Sequence, residues 1–169
     1  MYRLKCIANT NYLEKGLSLF YEILHSQIGE VSTLGGPAIY RSHFLKEFSE
    51  ECSSVGSSID TEMDEYKSRK GYKVGYANTF AFQKEDLEIS SFSNKYFWYG
   101  KGDYDFYNQH KSNWSIRRKL KSITHVFNRY IIDYPLKAIK MGKVLYVPYF
   151  WLSAVVRYCG WIYTIIKGK

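Results

Sequence analysis

The sequence predicts an α/β fold in which short strands alternate with helices, and three observations lead to this prediction. Apolar residues repeat every three or four positions between residues 13 and 28, which is the period of a helix with one apolar face. A glycine-rich segment at residues 35–37 suits a loop that approaches another group closely. A second helix, predicted for residues 61–70, is followed by strand-like runs at 72–76 and 79–82. One modest core is therefore expected for these 169 residues.

The positive charge is concentrated in the C-terminal part of the chain. The formal net charge is +8, but residues 1–100 hold 11 basic and 13 acidic side chains, whereas residues 101–169 hold 13 basic and 3 acidic ones. A basic segment attracts polyanions, so nucleic acid, anionic lipid and diphosphate groups are all admissible partners. The aromatic share of 18% excludes a disordered chain, since such chains lack apolar area to offset the entropy of ordering.

The cysteines and the N-terminus indicate a cytosolic setting. Cys6, Cys52 and Cys159 are far apart and fit neither a zinc motif nor a disulfide framework, so we predict no metal site and a reducing compartment. Residues 1–5 carry charge but are not followed by the apolar stretch of a secretory signal. The chain is therefore expected to remain on the cytosolic side.

We divide the chain at residue 110, into a mixed helix and strand part at 1–110 and a basic, aromatic helical region at 111–169. Residues 144–166 are almost entirely apolar apart from Arg157, and this run is long enough to cross a bilayer. Because Pro148 and Arg157 interrupt this run, a helical hairpin that lies in the membrane interface is an equally good interpretation. Bases beside an apolar aromatic stretch favour docking on an anionic membrane leaflet. A packed helix pair of a soluble enzyme is the alternative.

Asp60 is the candidate catalytic residue. It lies at the start of a predicted helix, with Thr61 and Asp64 in a capping-box arrangement. A brief helix is predicted earlier, at residues 42–48, and a serine-rich segment between the two leaves Asp60 accessible. A helix N-terminus favours the ionised carboxylate, and an ionised, accessible carboxylate can accept the proton of an attacking hydroxyl. The alternative interpretation is an aspartate that only caps its helix.

Three segments around Asp60 occur in a characteristic order. A glycine-rich loop at residues 35–41 ends in an arginine, an acidic helix start leads through basic residues to a glycine and a strand at residues 60–74, and an aromatic helix ends in a Tyr-Gly-Lys-Gly sequence at residues 96–102. In this order and spacing they resemble the acceptor-side half of a family-2 inverting glycosyltransferase with a GT-A fold. The resemblance implies a partial GT-A fold, consisting of the glycine loop, short strands and helices, in residues 1–110.

The resemblance also implies an activity and a set of site residues. Asp60 would deprotonate an acceptor hydroxyl, which then attacks the anomeric carbon of a nucleotide-sugar with inversion. Lys101, on a glycine-flanked turn, would contact the donor diphosphate, although a solvated turn lysine is equally consistent with its sequence. The residues that the resemblance assigns to substrate binding are Gly35, Gly36, Arg41, Glu62 and Lys101.

The sequence departs from the family pattern at several points. Ile59 replaces the second acidic residue, and Gln83 stands where many members have a histidine. The Gln-x-x-Arg-Trp motif of processive synthases is absent, which favours single sugar additions. Only 34 residues precede Gly35, fewer than the donor-binding half requires, so we expect that half, with its Asp-x-Asp motif and Mg²⁺ or Mn²⁺ ion, to come from elsewhere. No cofactor is expected in this chain, and residues 103–105 are predicted to be an exposed acidic turn.

Three functions follow as hypotheses. The first is the C-terminal portion of a glycosyltransferase at the cytoplasmic face of the cell membrane, using a nucleotide-sugar donor and a glycan or lipid-linked acceptor, with a separate donor-binding chain as a further partner. The second is a membrane-associated remnant or interaction module without catalysis. The third is a basic nucleic-acid-binding protein, which is ranked last because the basic segment adjoins an apolar one.

Overall fold

The protein is predominantly helical. In a computed structural model, the described residues are 3–6, 11–26, 29–31, 40–51, 59–76, 80–83 and 87–168. The α-helices are α1 (Tyr12–Leu24), α2 (Ser42–Glu51), α3 (Ile59–Lys70), α4 (Ile89–His110), α5 (Ile116–Val126), α6 (Tyr134–Lys140) and α7 (Val147–Lys167). A π-helical segment, Phe127–Asp133, joins α5 to α6, and short 3₁₀ turns lie at Lys111–Asn113 and Val144–Tyr146.

The strands are few and short. They are β1 (Arg3–Cys6), β2 (Gly29–Val31), β3 (Val74–Tyr76) and β4 (Phe80–Gln83). Strand β1 pairs in parallel with β4, and β2 pairs antiparallel with β3. Within the described part of the chain these are two separate two-stranded pairs, not one sheet.

The predicted α/β fold, a partial GT-A fold, is therefore wrong. An α/β domain buries its helices against the faces of a sheet. Here the larger buried cluster is made by helices packed on helices, and all its buried members except Leu87 lie in helical segments. The strand-like runs at residues 72–76 and 79–82 do form β3 and β4, but strands of three and four residues are too short to organise the core.

The larger buried cluster lies among α1, α4, α6 and α7. At its centre, Tyr96 of α4 and Tyr149 of α7 are almost completely buried, and their hydroxyls share a hydrogen bond of 2.7 Å. That bond satisfies two polar groups that would otherwise be costly to bury. A smaller cluster joins α2 to α3, where Phe44 and Phe48 pack edge-on against Tyr66.

Glycines set the closest approach between α4 and α7. A Cβ atom on Gly100 would lie 1.8 Å from the Arg157 carbonyl oxygen, and one on Gly160 would lie 2.1 Å from the Phe97 carbonyl oxygen. Only hydrogen-sized side chains fit there. The helix predicted to stop at residues 100–102 therefore continues to His110, because Gly100 serves a helix contact and not a turn.

Helices α2 and α3 occur where the sequence predicts them, but α2 continues past residue 48 to Glu51, and α3 begins at Ile59, so Thr61 lies inside the helix and the predicted capping box does not start it. Helix α3 stops at Lys70, and Gly71 has a φ of 75°, the left-handed conformation that suits a glycine after a helix. Helices α1 and α7 also need correction. Helix α1 ends at Leu24 and does not reach residue 28. Pro148 lies in the first turn of α7 and so begins that helix. None of the helices in the described ranges has both the length and the apolar character needed to cross a membrane.

Candidate functional site

Helix α3 presents an acidic face to a cavity. Residues Asp60, Thr61, Asp64, Glu65 and Ser68 share this face and line the cavity. The opposite side of α3 is anchored by the cluster around Tyr66, so the orientation of the helix is fixed by its aromatic contacts. Asp60 therefore lies on the side of α3 that lines the cavity.

The other wall of the cavity is mainly basic. It is built from α4, α5, the π segment and α7, and the cavity has a volume of about 560 Å³, within the range that holds small-molecule ligands. The residues of this wall are Asp103, Phe106, Arg118, Lys121, Ser122, His125, Arg129 and Arg157. Ser115 begins α5 by accepting a hydrogen bond from the Arg118 backbone N–H, at 3.3 Å, so the basic helix has a defined start.

One ion pair connects the walls, and one histidine–carboxylate hydrogen bond lies behind them. Arg118 Nη2 lies 2.7 Å from Glu65 Oε2, and its guanidinium group lies over the Trp114 ring at 4.6 Å. Away from the cavity, buried Glu62 binds His110 Nε2 at 2.8 Å. These contacts hold α3 against the helices that carry the basic wall.

Asp103 and Arg157 form the most buried ion pair of the site. Arg157 Nη2 donates to Asp103 Oδ1 at 2.8 Å, its Nε donates to Oδ2, and its Nη1 donates to the Tyr130 hydroxyl at 3.2 Å. Burial is the largest single effect on Arg157 and would lower its pKa, but the charge and hydrogen bonds of Asp103, together with Tyr130 and Tyr96, outweigh it and the pKa is raised. The prediction of an exposed acidic turn at residues 103–105 is wrong, because all three residues lie within α4 and Asp103 is partly buried as the partner of Arg157.

His125 lies beside this pair. Its Nδ1 is 2.6 Å from the Ser122 carbonyl oxygen, and its Nε2 is 3.6 Å from Asp103 Oδ1. Burial lowers the pKa of His125, and the nearby Asp103 opposes that shift only in part. The imidazole is therefore biased towards its neutral form.

Three charged side chains of the cavity have no ion-pair partner among the described residues. They are Asp60 on α3, Lys121 on α5 and Arg129 in the π segment. Although Asp60 as a residue is exposed, partial burial of its carboxyl raises its pKa.

The other predicted site residues are distributed as follows. Glu62 is on the buried side of α3 and binds His110, so it does not line the cavity. Arg41 is exposed immediately before α2, next to Tyr40. Burial raises the pKa of Tyr40, and the charge of Asp60 adds to that rise, so the two side chains are near one another. Gly35 and Gly36 lie outside the described residues.

Lys101 is not on a turn. It lies inside α4 and is absent from the residues that line the cavity. The cations that do face Asp60 come from α5 and the π segment, and they are not among the residues predicted from the sequence. Their signal is the alternation of bases and apolar residues at helical spacing in residues 116–126.

Comparison with protein-family models, with curated proteins and with solved structures finds no match to this chain. The described residues also contain no group of three or more histidine, cysteine, aspartate or glutamate side chains placed to hold a metal ion.

Proposed function

We propose that this chain provides the acceptor-activating side of a glycosyl-transfer site, with Asp60 as the general base. One observation carries the proposal: Asp60 on one wall of the cavity, and Lys121 and Arg129 on the other, have no ion-pair partner among the described residues. Sugar transfer from a nucleotide-sugar requires both kinds of group. A base must take the proton of the acceptor hydroxyl, and cations must stabilise the negative charge that develops on the nearby diphosphate.

The chemistry assigns a separate task to each wall. The Asp60 carboxylate accepts the proton of the acceptor hydroxyl while that oxygen attacks the anomeric carbon. The bond from the anomeric carbon to the diphosphate oxygen breaks, and the diphosphate leaves with the electron pair, so the configuration is inverted. Lys121 and Arg129 stabilise the departing charge. The raised pKa of Asp60 makes its carboxylate a stronger base than an ordinary aspartate.

Binding of pyrophosphate and of uridine diphosphate to the full chain tests this assignment. We expect saturable binding that weakens by at least about tenfold when Lys121→Ala and Arg129→Ala are combined, since charge-assisted contacts to phosphate are lost. The matched control combines Arg117→Ala with Lys119→Ala, which removes the same charge from the same helical region without touching the cavity. The Asp60→Asn variant should retain binding.

Two results would contradict the proposal. Equal weakening by the cavity pair and the control pair would mean that the anion responds only to the overall charge of the segment. Absence of saturable binding would remove the phosphate-binding role of Lys121 and Arg129.

A second candidate is a membrane-associated module without catalysis. The observation that favours it is a set of exposed apolar side chains on α5, α6 and α7. In that case the chain binds phosphate without catalysing sugar transfer, and any transfer that is measured does not depend on Asp60. The two candidates are therefore distinguished by the Asp60→Asn variant.

A further inference from the structure

An exposed apolar stripe runs along the helical segment from α5 through the π segment to α6. Its members are spaced by four, three, four, five, four and three residues, so they follow one side of the helix. They are Ile116, Leu120, Ile123, Phe127, Ile132, Leu136 and Ile139, which are between 40% and 77% exposed. A solvent-facing stripe of this length is the reverse of the usual arrangement, in which the apolar side of a surface helix faces the core.

The π segment keeps this stripe aligned. The spacing of five residues, from Phe127 to Ile132, falls inside the π-helical segment Phe127–Asp133. In a π-helix each hydrogen bond joins residues that are five apart, whereas in an α-helix they are four apart. The cause is Tyr158 of α7. Its hydroxyl accepts a hydrogen bond from the Phe127 N–H at 3.1 Å and donates to the Ile123 carbonyl at 3.0 Å, so it occupies the place of an α-helical hydrogen bond.

Helix α7 adds a second stripe beside the first. Its outward side chains carry no charge between Pro148 and Ile166, and they include Trp151, Leu152, Val155, Ile162 and Ile166, which are between 46% and 69% exposed. Tyr158 joins α7 to the stripe-bearing backbone at Ile123 and Phe127. The two stripes therefore belong to adjacent helices that are held together at that point.

The segment that carries this apolar surface is strongly basic. Residues 111–169 contain 12 basic side chains and a single acidic one, Asp133, which gives a formal charge of +11. Arg117 and Lys119 lie on either side of the stripe at the start of α5, where long side chains can keep their charges in a polar layer while their stems cover apolar surface.

We propose that the two stripes form one face that lies on the surface of an anionic lipid bilayer, with α5, α6 and α7 in the interfacial layer. Apolar side chains enter the acyl boundary, and the flanking bases meet anionic headgroups, whose opposite charge attracts them. A second copy of the chain is a poor occupant, because pairing these faces brings two segments of charge +11 together. The inference does not depend on the proposed glycosyl transfer.

Vesicle flotation of the full chain tests the proposal. Binding should be strong to vesicles of phosphatidylcholine mixed with phosphatidylglycerol and weak to phosphatidylcholine alone. The combination of Ile116→Ser and Leu120→Ser should weaken binding by at least about tenfold. The matched control is Ile89→Ser with Leu45→Ser, which also removes one isoleucine and one leucine from exposed helical positions. Ile89 and Ile116 are both 77% exposed, and each begins its helix, so the control should bind as the wild type does.

Fluorescence gives a second measurement on variants that leave the stripe of α5 intact. Brominated lipid should quench Trp151 on the outward side of α7, so Trp151→Phe should lose most of the quenching. Trp98 on α4 is equally exposed, at 51% against 49%, but lies outside the stripes, so Trp98→Phe should retain it.

Three outcomes would overturn the inference. They are equal binding to neutral and anionic vesicles, equal weakening by the control pair, and sedimentation as a lipid-independent dimer that the Ile116 and Leu120 replacements convert to a monomer. The last result would identify a second copy as the occupant of the face.

Discussion

Asp60 and Asp103 show how burial and pairing give two aspartates different properties. Asp103 holds Arg157 through two hydrogen bonds on the same cavity, and this pair fixes α4 to α7. Asp60 has no ion-pair partner among the described residues, and burial raises its pKa. A carboxylate that is costly to ionise and has no structural partner is the kind of group that a protein retains for function at the expense of stability.

The stability of an Asp60→Asn variant tests that view. Because the pKa of Asp60 is raised in the folded state, the folded protein binds the proton more tightly than the unfolded chain does. The contribution of this proton binding to the free energy of unfolding therefore falls as pH rises through the raised pKa. Asparagine cannot ionise, so the variant should be more stable than the wild type at neutral pH. Below the ordinary aspartate range the two should be equal, because the carboxyl is protonated in both states.

Thermal unfolding across this pH range measures the difference. Asp105→Asn is the control, since Asp105 is exposed on α4 and does not line the cavity. An Asp60→Asn protein that is less stable than the wild type at neutral pH would mean that the carboxylate stabilises the start of α3 as a cap.

Among the helices, glycines have different roles that the sequence does not distinguish. Gly71 ends α3 as predicted, with its positive φ. Gly100 is predicted to end a helix, but it lies in the middle of α4, at the contact with α7. Local sequence carries the conformational preference of a glycine, whereas a close contact with a helix far along the chain depends on tertiary packing.

A Gly100→Ala substitution should therefore destabilise the fold. Alanine is favoured over glycine inside a helix by about 1 kcal/mol, but its Cβ would lie 1.8 Å from the Arg157 carbonyl oxygen. Forcing helices apart typically costs about 1 to 3 kcal/mol and occasionally more, so the steric effect should exceed the gain. Denaturant unfolding measures the sum. Asn94→Ala, at an exposed position of the same helix, should change stability by no more than about 0.5 kcal/mol.

If Gly100→Ala is as stable as the wild type, the contact between α4 and α7 is looser than described. The expected loss should be shared by Gly160→Ala, because its Cβ would meet the Phe97 carbonyl oxygen from the other helix.

For the molecule as a whole, the sequence predicts individual elements better than their arrangement. Helices α2 and α3 and the strands β3 and β4 lie close to where the sequence pattern places them. The predicted fold class is wrong because helix contacts over long separations, such as that of Tyr96 with Tyr149, form the core and leave no continuous periodic pattern. Of the candidate site, the local order of residues identifies Asp60, but it does not identify Lys121 and Arg129.

The reason for that omission is the orientation of α5. An amphipathic helix normally turns its apolar side inward, which would place the bases of residues 116–126 in solvent. In this protein the apolar stripe faces outward, and the opposite, basic side lines the cavity that contains Asp60. The proposed membrane face and the proposed site therefore use opposite sides of the same helix.

The role of Asp60 as a general base is tested by transfer of labelled sugar from nucleotide-sugars to membrane acceptors, using membranes of cells that express the chain in the presence of Mg²⁺. We predict transfer that depends on the wild-type chain and falls by at least about 100-fold with Asp60→Asn, the usual contribution of a general base, while Asp105→Asn is unaffected. Transfer at the wild-type rate with Asp60→Asn would contradict it.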